Sequence, residues 1–367
     1  MPTDSNHTPF ATLLPASGWV MDPARFERET ERNDGWSNPP TLAVWPGFSS
    51  PMSDYLPAAG VIGRIRYMFD GQIVTVKGTG AVTPTDQWPH GLLGRFQLRL
   101  NGQSTPWNLK GVDLNVLRAA RYKSIADTGG LSVVTVGTDG TYPVRIFWDI
   151  PLAIDPSISP SGGGLFAQSV NSQITCELTT AASAEIFTLT GTAAYTPSGV
   201  FRRFLNWYAI PTGPIGQRGE AGMILPDLTT LHGMLSQDQA LVATGDQTVE
   251  INRIQGTIAR LWQRMNNSGT SIAPQVPSQY QLRYASNQNP RTLHPYQLTA
   301  FADDWYRAAL PYSAAPIFDA IAENLARDAV DVEGLSNPQV ITTIPTGTVI
   351  NAGARLFTVY EVLAPLA

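Results

Sequence analysis

The histidines are the first residues to consider for chemistry, because an imidazole can bind a metal ion or transfer a proton near neutral pH. Two histidines at positions i and i+4 of a helix form the common half of a zinc site. No such pair is present, since the four histidines are scattered along the chain: His7, His90, His232 and His294. We therefore expect each of them to have a role at the surface or in a turn.

Two acidic pairs could act together as well. Asp303 and Asp304 lie on a predicted helix, where consecutive side chains point apart, so we interpret them as solvated. Asp331 and Glu333 would share a face in an extended segment and could then act as the carboxylate pair of a glycan hydrolase. Because no cleft is known for this second pair, we prefer to interpret it as a calcium ligand or as part of a soluble loop.

Sequence motifs of enzymes are missing. The chain contains no G-x-S-x-G elbow, no P-loop and no G-x-G-x-x-G motif, which are the usual signatures of serine hydrolases and nucleotide-binding proteins. We assign no catalytic, cofactor-binding or metal-ligating residue and expect a protein that is not an enzyme and has no cofactor.

The composition is that of a chain with few charges. Charged residues make up 14% of the 367 residues, against roughly 25% in an average soluble protein. This favours a surface that packs against other copies, although a bias of all-β proteins is the alternative. The net charge of −5 and the lack of a basic run argue against direct sequence-specific binding of nucleic acid.

The single cysteine and the N-terminal sequence bear on the compartment in which the protein is made. Cys176 excludes an intrachain disulfide, and its alternating surroundings predict a buried strand position. The N-terminus lacks the basic start and apolar core of a signal peptide, and no run approaches the roughly 20 apolar residues of a spanning helix. These features predict synthesis in the cytoplasm.

Residues 1–57 are expected to form an arm. They contain one helix signal, "DPARFERETER", in which Asp22 can cap the helix and Pro23 suits its first position. The surrounding segments are rich in Pro and Gly. Their aromatic residues are expected to pack on this chain or on a neighbour: Trp36, Trp45 and Phe48.

From residue 58 onward the pattern predicts strands. "VIGRIRYMFDGQIVTV" has two apolar runs around Asp70-Gly71 and predicts a hairpin. "GLLGRFQLRLNGQS" alternates, with Leu92, Phe96, Leu98 and Leu100 on one face, and stops at an Asn-Gly turn. A short helix in "VDLNVLRAARYKS" follows, and "YPVRIFWDIPLAI" and "SQITCELTT" predict later strands.

A second set of the same elements follows a predicted break at "TPSGV". "GTIARLWQRMNNSG" leads a strand into a turn, "HPYQLTAFADDWYRAAL" predicts a helix, and "PQVITTIPTGTVINAGARLFTVYEVL" predicts two closing strands. The segment Ile317–Val330 has helical composition, although its place in the repeat requires a strand.

The two sets of elements predict an all-β fold. Roughly eight short strands per half favour two tandem jelly rolls, a double jelly roll, with short helices in the loops between strands. We divide the chain into an arm (1–57), a first roll (58–198) and a second roll (199–367).

The order of these motifs resembles that of the double jelly-roll major capsid proteins of tectivirus-like phages. The resemblance is carried by "LLGRFQLRLNGQSTPWNLKGVDLNVLRAARY", by "VRIFWDIPLAI" and, in the second half, by "LARDAVDVEGLSNPQVITTI". It covers residues 58–367. It implies a structural protein of a double-stranded DNA virus of bacteria, in which homotrimers form pseudo-hexameric capsomers that tile an icosahedral shell in the virion.

The same resemblance implies partners. These are neighbouring capsomers, penton and minor capsid proteins, and an internal viral membrane that the N-terminal arm would contact. Two other functions stay open. A secreted glycan-processing hydrolase of two β-sandwiches would need a carboxylate-lined groove, and a trimeric phage receptor-binding or spike protein would need a distinct shaft and head.

Overall fold

The computed structural model describes residues 31–57, 60–102, 104–122, 138–152, 165–167, 173–209, 230–251, 256–283, 291–320, 330–331 and 338–365. The described α-helices are α1 (Gly111–Tyr122), α2 (Ser183–Ile186) and α3 (Pro295–Tyr306). The described strands are β1 (Glu31–Ser37), β2 (Pro51–Leu56), β3 (Val61–Val76), β4 (Val82–Pro84), β5 (Leu93–Leu100), β6 (Ser104–Leu109), β7 (Gly140–Pro151), β8 (Leu165–Phe166), β9 (Ile174–Thr180), β10 (Phe187–Leu189), β11 (Ala194–Ala209), β12 (Thr230–Ala240), β13 (Gly245–Glu250), β14 (Thr257–Asn267), β15 (Thr270–Ile272), β16 (Gln279–Arg283), β17 (Arg291–Leu293), β18 (Ala315–Asp319), β19 (Val330–Asp331), β20 (Gln339–Ile344) and β21 (Arg355–Pro365).

A ten-stranded sheet, which we call the central sheet, runs through both halves of the molecule. Its order is β15-β14-β21-β12-β6-β5-β9-β2, and β18 and β19 also pair with β14. The halves join where β12 pairs with β6 in parallel, at Met234 opposite Trp107 and Leu235 opposite Asn108. One backbone sheet therefore connects the two rolls.

Two smaller sheets cover opposite faces of the central sheet. The first, in the order β1-β11-β3-β7 with β8 beside β3, packs on the half formed by β2, β9, β5 and β6 and encloses the first roll. The second, in the order β13-β20-β16-β17, packs on the half formed by β12, β21 and β14 and encloses the second roll. The fold is thus a double jelly roll of two β-sandwiches that share a sheet.

The strands at the middle of the central sheet are buried on both faces. Leu235, Leu261 and Tyr360 pack in the core of the second roll. Their neighbours in sequence, Met234 and Trp262, point to the other face and join the core of the first roll. Helices α1 and α3 cover that other face, where Leu117 and Trp305 belong to the same apolar cluster.

The predicted hairpin at Asp70-Gly71 is wrong, because β3 is one strand of 16 residues. Asp70 forms an ion pair with Arg145, with 3.2 Å between the Oδ1 and Nε atoms. Gly71 lies opposite Gly199 of β11, and a Cβ atom on Gly71 would lie 2.2 Å from the Ser198 carbonyl oxygen. Gly71 therefore allows the backbones of β3 and β11 to approach closely, and the Asp-Gly pair does not form a turn.

The strand, turn and helix predicted from "GLLGRFQLRLNGQS" onward are confirmed. Strand β5 buries Phe96, Leu98 and Leu100, while Leu92 lies in the preceding turn of 3-10 helix. Asn101 and Gly102 have positive φ angles of 54° and 72°, which suit a tight hairpin turn. Helix α1 follows, β7 runs through "YPVRIFWDIP", and Cys176 is buried in β9.

The second half confirms most of the predicted elements. Strand β14, helix α3 and the closing strands β20 and β21 lie where the pattern placed them. The segment Ile317–Val330 could have been a helix or a strand. In the structure, Ile317–Asp319 belong to strand β18 and Val330 belongs to strand β19. Residues 321–329 lie outside the described residues.

The limits of the predicted units need adjustment. The break at "TPSGV" is wrong, because β11 continues through it and pairs with β3 on both sides. The predicted arm contributes β2 to the central sheet, and Leu42 and Met52 lie in the core of the first roll. We therefore propose that the first roll includes β2 and extends to Ala209, and that the second begins at Thr230.

Other parts of the arm are described only in part. The predicted helix over "DPARFERETER" lies outside the described residues except for Glu31 and Arg32, which belong to β1. Trp45 packs on the core of the first roll, with its ring 5.4 Å from that of Phe69, and Phe48 packs beside it. Trp36 remains 47% exposed.

We predict that Gly71→Ala lowers the free energy of unfolding by about 2–3 kcal/mol, because the added methyl group forces the backbones of β3 and β11 apart. Urea unfolding followed by tryptophan fluorescence measures this change. Gly35→Ala in β1 is the matched control, because nothing lies within 4 Å of a Cβ atom there. Equal stability of the two variants would contradict the close approach at Gly71.

Candidate functional site

A buried cluster of charged residues lies where the two rolls meet, and we call it the junction cluster. Its members come from six elements, the helices α1 and α3 and four strands of the central sheet beneath them: Arg121, His232, Arg260, Tyr306, Asp319 and Glu361. Arg121 comes from the first roll, and the other members from the second. Because a buried charge is costly unless it is paired, this set specifies one arrangement of the elements around it.

Glu361 is the centre of the junction cluster. Its Oε1 atom accepts a hydrogen bond from Arg121 and lies 2.8 Å from Nε2 of His232. Its Oε2 atom accepts a hydrogen bond of 3.0 Å from Nη1 of Arg260. Arg260 also donates from Nε to Oδ2 of Asp319 at 2.9 Å, and the Tyr306 hydroxyl donates to the same oxygen at 2.6 Å.

His232 connects this cluster to the end of β7 in the first roll. Its Nδ1 atom lies 3.1 Å from the Leu152 carbonyl oxygen, and its backbone oxygen accepts a hydrogen bond of 2.9 Å from Nε1 of Trp107. The Trp107 and His232 rings meet edge to face, with centroids 5.1 Å apart. The ring is thereby held by groups of both rolls.

The charges of the junction cluster balance at neutral pH. Burial lowers the pKa of His232, although its hydrogen bond to Glu361 opposes this change. Burial alone would raise the pKa of Glu361, but Arg121 and Arg260 hold that pKa well below its usual range. The guanidinium groups of Arg121 and Arg260 face the carboxylates of Asp319 and Glu361, two against two, which is the arrangement that a buried ionic cluster requires.

The remainder of the junction is apolar with one more ion pair. Next to the junction cluster, Trp262 and Val359 pack against the helices in the first-roll core. Further along the same face, Arg264 donates from Nε to Oδ1 of Asp113 on α1 at 2.5 Å. The guanidinium carbon of Arg264 also lies 3.9 Å from the centre of the Phe357 ring, a cation–π distance.

The outer surface of the first roll carries an exposed aromatic group, which we call the aromatic face: Trp36, Phe147 and Phe204. The Trp36 ring lies 5.4 Å from that of Phe204 and 6.1 Å from that of Phe147. Arg66 covers Phe147, with its guanidinium carbon 5.5 Å from the ring centre. An exposed tryptophan with aromatic neighbours is typical of a protein contact surface.

Arginines surround the aromatic face. Asp149 binds Arg66 through two hydrogen bonds of 2.5 and 2.9 Å and Arg64 through one ion pair of 2.8 Å. Arg118 lies 3.7 Å from the same carboxylate. Three guanidinium groups therefore converge on one carboxylate beside the aromatic face.

The structure places the histidines differently from our prediction. His90 and His232 are buried, 4% and 1% exposed, so the surface or turn role is wrong for His232 and incomplete for His90, which lies in a turn of 3-10 helix. His294 is exposed and immediately precedes α3, and its backbone N–H donates to Oε1 of Gln297 at 2.8 Å. His7 lies outside the described residues.

The predicted acidic pairs do not form a site within the described residues. Asp303 and Asp304 are both exposed on α3, as expected for solvated residues. Asp331 belongs to β19, and Glu333 lies outside the described residues. Across the described ranges, no three His, Cys, Asp or Glu side chains are grouped as metal ligands would be.

The junction cluster was not evident from the sequence pattern. Arg260 and Arg264 alternate with apolar residues in "TIARLWQRMNN", which is the pattern of a strand with one solvated face. In the structure, this second face is buried under helices that come from distant parts of the sequence. None of the helices in the described part of the chain is long and apolar enough to span a bilayer.

We predict that Glu361→Gln lowers the free energy of unfolding by about 3–5 kcal/mol, because it leaves two buried guanidinium groups with one carboxylate between them. Asp238→Asn is the matched control: it breaks the ion pair with Arg355, whose side chains are 44% and 33% exposed, and should cost less than about 1 kcal/mol. Urea unfolding measures both changes. A loss at Glu361 as small as that at Asp238 would contradict the role of the junction cluster.

His90 is predicted to make the protein sensitive to acid. Burial, together with the charge of Arg118, lowers the pKa of His90 from 6.5 to about 3. As the pH falls below 6.5, the unfolded chain takes up a proton that the folded chain does not. The free energy of unfolding therefore decreases between pH 6.5 and pH 3, by up to about 1.4 kcal/mol per pH unit.

Urea unfolding at pH 6.5 and pH 5 tests this dependence. The decrease between the two values should be about 2 kcal/mol smaller in His90→Asn than in the unaltered chain. The exposed His294→Asn should keep the original dependence. If His90→Asn also kept it, His90 would not be the group that titrates.

Comparison with known proteins shows which proteins share this fold. No protein-family model matches the chain, and no curated protein sequence matches it. Three similar solved structures are the MCP of STIV (Sulfolobus Turreted Icosahedral Virus), the Faustovirus major capsid protein and the major capsid protein of bacteriophage PM2. Their TM-scores are 0.66, 0.59 and 0.53 at sequence identities of 17%, 8% and 11%. The matches cover 91%, 92% and 92% of this chain and 97%, 91% and 98% of the other chains.

Proposed function

We propose that this chain is a viral major capsid protein with a structural and non-enzymatic role. The observation that carries the proposal is the match of the whole double jelly roll to viral major capsid proteins over nine tenths of the chain. Because sequence identities this low speak for the fold and not for the function, the surfaces of the molecule supply the further support.

The proposed mechanism is self-assembly of homotrimers. Two similar rolls per chain around a threefold axis give six similar sides, so that a trimer can act as a pseudo-hexameric capsomer in an icosahedral shell. This requires that the two rolls keep one fixed orientation. The shared central sheet and the balanced junction cluster supply that rigidity.

We assign the aromatic face as a contact surface between copies. Trp36 is 47% exposed and stands beside Phe147 and Phe204. If this surface contacts a different surface of the next copy, the contact is head-to-tail, which is the kind of contact that closes a ring.

The proposed location is the shell of the virion, after synthesis in the host cytoplasm. Capsomers would contact neighbouring capsomers, penton proteins and minor capsid proteins. Glu31, the first residue of β1, pairs with Ala209 of β11. Pro365, the last residue of β21, pairs with Thr230, the first residue of β12. His232 contacts Leu152 at this same end of the molecule. We also propose that the N-terminal arm contacts an internal viral membrane.

The other two functions have no comparable support. A glycan hydrolase would need a carboxylate-lined groove, and the buried carboxylates Asp54, Asp149 and Glu361 are engaged in ion pairs. A spike would need a distinct shaft and head, whereas the described parts of the chain form two rolls on one sheet.

Native mass spectrometry of the purified protein should show a trimer at micromolar concentration. Trp36→Asp should shift it towards the monomer without a change in thermal unfolding, because it places a carboxylate in the contact while leaving the core intact. Tyr296→Asp is the matched control: Tyr296 is 85% exposed on α3, away from the aromatic face. A monomer in the unaltered protein would contradict the capsomer, and an unchanged trimer in Trp36→Asp would contradict the assigned surface.

A further inference from the structure

The central sheet contains a slot where one strand ends early. Strand β6 ends at Leu109, and the chain leaves the sheet to begin α1 at Gly111. Strand β12 continues to Ala240, but it pairs with β6 only at Met234 and Leu235. In the part of the chain that the structure describes, Ser236–Ala240 have β21 on one side and no strand on the other.

The opposite wall of the slot is the start of β5. Phe96 pairs with Leu109, so Leu93, Gly94 and Arg95 extend beyond the end of β6. Two strands with one strand missing between them stand roughly 10 Å apart, which is the width of one inserted strand. A cavity of about 250 Å³ occupies this position, lined by Gly94, Arg95, Asn108, Leu109, Lys110, Ser236, Asp238 and Phe357.

The chemistry of the slot fits an extended and uncharged peptide. An open strand edge presents backbone donors and acceptors that an added strand satisfies. Two ion pairs stand at its mouth: Lys110 lies 3.5 Å from Glu185, and Arg355 lies 2.7 Å from Asp238. The third cation of the lining, Arg95, donates from Nε to Oδ1 of Asn108 at 2.9 Å. The Lys110 ammonium also lies 4.9 Å from the centre of the Phe357 ring. A charged occupant would break these pairs, whereas an apolar one would not.

We propose that the slot binds an extended segment from the N-terminal part of this chain, Phe10–Leu14. Residues 8–21 contain no Lys, Arg, Asp or Glu, and the sequence "PFATLLP" places five residues between Pro9 and Pro15. Five residues also form the open edge of β12. Proline does not continue a strand pairing, so the two prolines limit the inserted strand to this length.

The chain between the segment and β1 is long enough for this docking. Residues 15–30 can extend over roughly 55 Å, which is about the length of the 16-residue strand β3. Glu31 lies at the end of the molecule where β12 begins, and the slot lies where β12 ends. The segment can therefore reach a slot in its own copy or in an adjacent one, and docking needs only the folded chain, not a capsid.

Disulfide trapping in the full-length chain tests the docking. The only natural cysteine, Cys176, does not compete, because burial raises the pKa of its thiol to about 12. Leu13→Cys combined with Ser236→Cys should form a disulfide under mild oxidation, identified by the mass of the linked peptides. Leu13→Cys combined with Thr248→Cys is the matched control, because Thr248 is exposed on β13. A link within one chain or between two chains supports docking, and a yield equal to the control overturns it.

Hydrogen exchange gives a second and independent test. Phe10→Asp combined with Leu13→Asp should speed amide exchange in Ser236–Ala240 at least tenfold, because the inserted strand no longer protects the open edge. Ser17→Asp combined with Val20→Asp, outside the segment, should leave these rates unchanged, and β3 should keep its protection in both proteins. Equal exchange of Ser236–Ala240 in both variants overturns the assignment of the segment.

Discussion

Burial of both faces of β12, β21 and β14 is the constraint on which the rest of the structure depends. These strands face the second roll on one side and the helices of the first-roll core on the other. A strand between two apolar layers has no surface left for charges, yet β14 and β21 carry Arg260 and Glu361 there. The guanidinium and carboxylate groups are tolerated because they pair with each other and with Arg121 and Asp319. The pairing works in one geometry only, and that geometry sets how the rolls stand to each other.

Local sequence patterns predicted the elements that are governed by local rules. Strand β5 with its Asn101-Gly102 turn, helices α1 and α3, and β7 follow from alternation, turn chemistry and helical spacing. The Asp-Gly pair of β3 was misread because a glycine also serves where two backbones approach closely, as Gly71 and Gly199 do. That approach depends on residues 128 positions apart, which no local pattern contains.

The junction cluster could not be predicted from local sequence patterns for a related reason. A buried arginine and an exposed arginine look alike in an alternating strand. What distinguishes them is the layer that covers the second face, and here that layer consists of α1 from the first roll and α3 from the second. His232 was misassigned in the same way, because its burial comes from Trp107 and Leu152 in the other roll. The tandem organisation was readable from the sequence, but the sharing of one sheet between the rolls was not.

The position of β21 has a consequence for how the molecule is made. This strand lies between β12 and β14 and brings Glu361 to the centre of the ionic cluster. During translation β12 and β14 leave the ribosome first and have no bridge between them until β21 follows. A chain cut short before Arg355 therefore lacks the strand that joins β12 to β14, and it lacks Glu361, the carboxylate that Arg121 and Arg260 share. The junction cluster is therefore completed only when β21 has been added to the sheet.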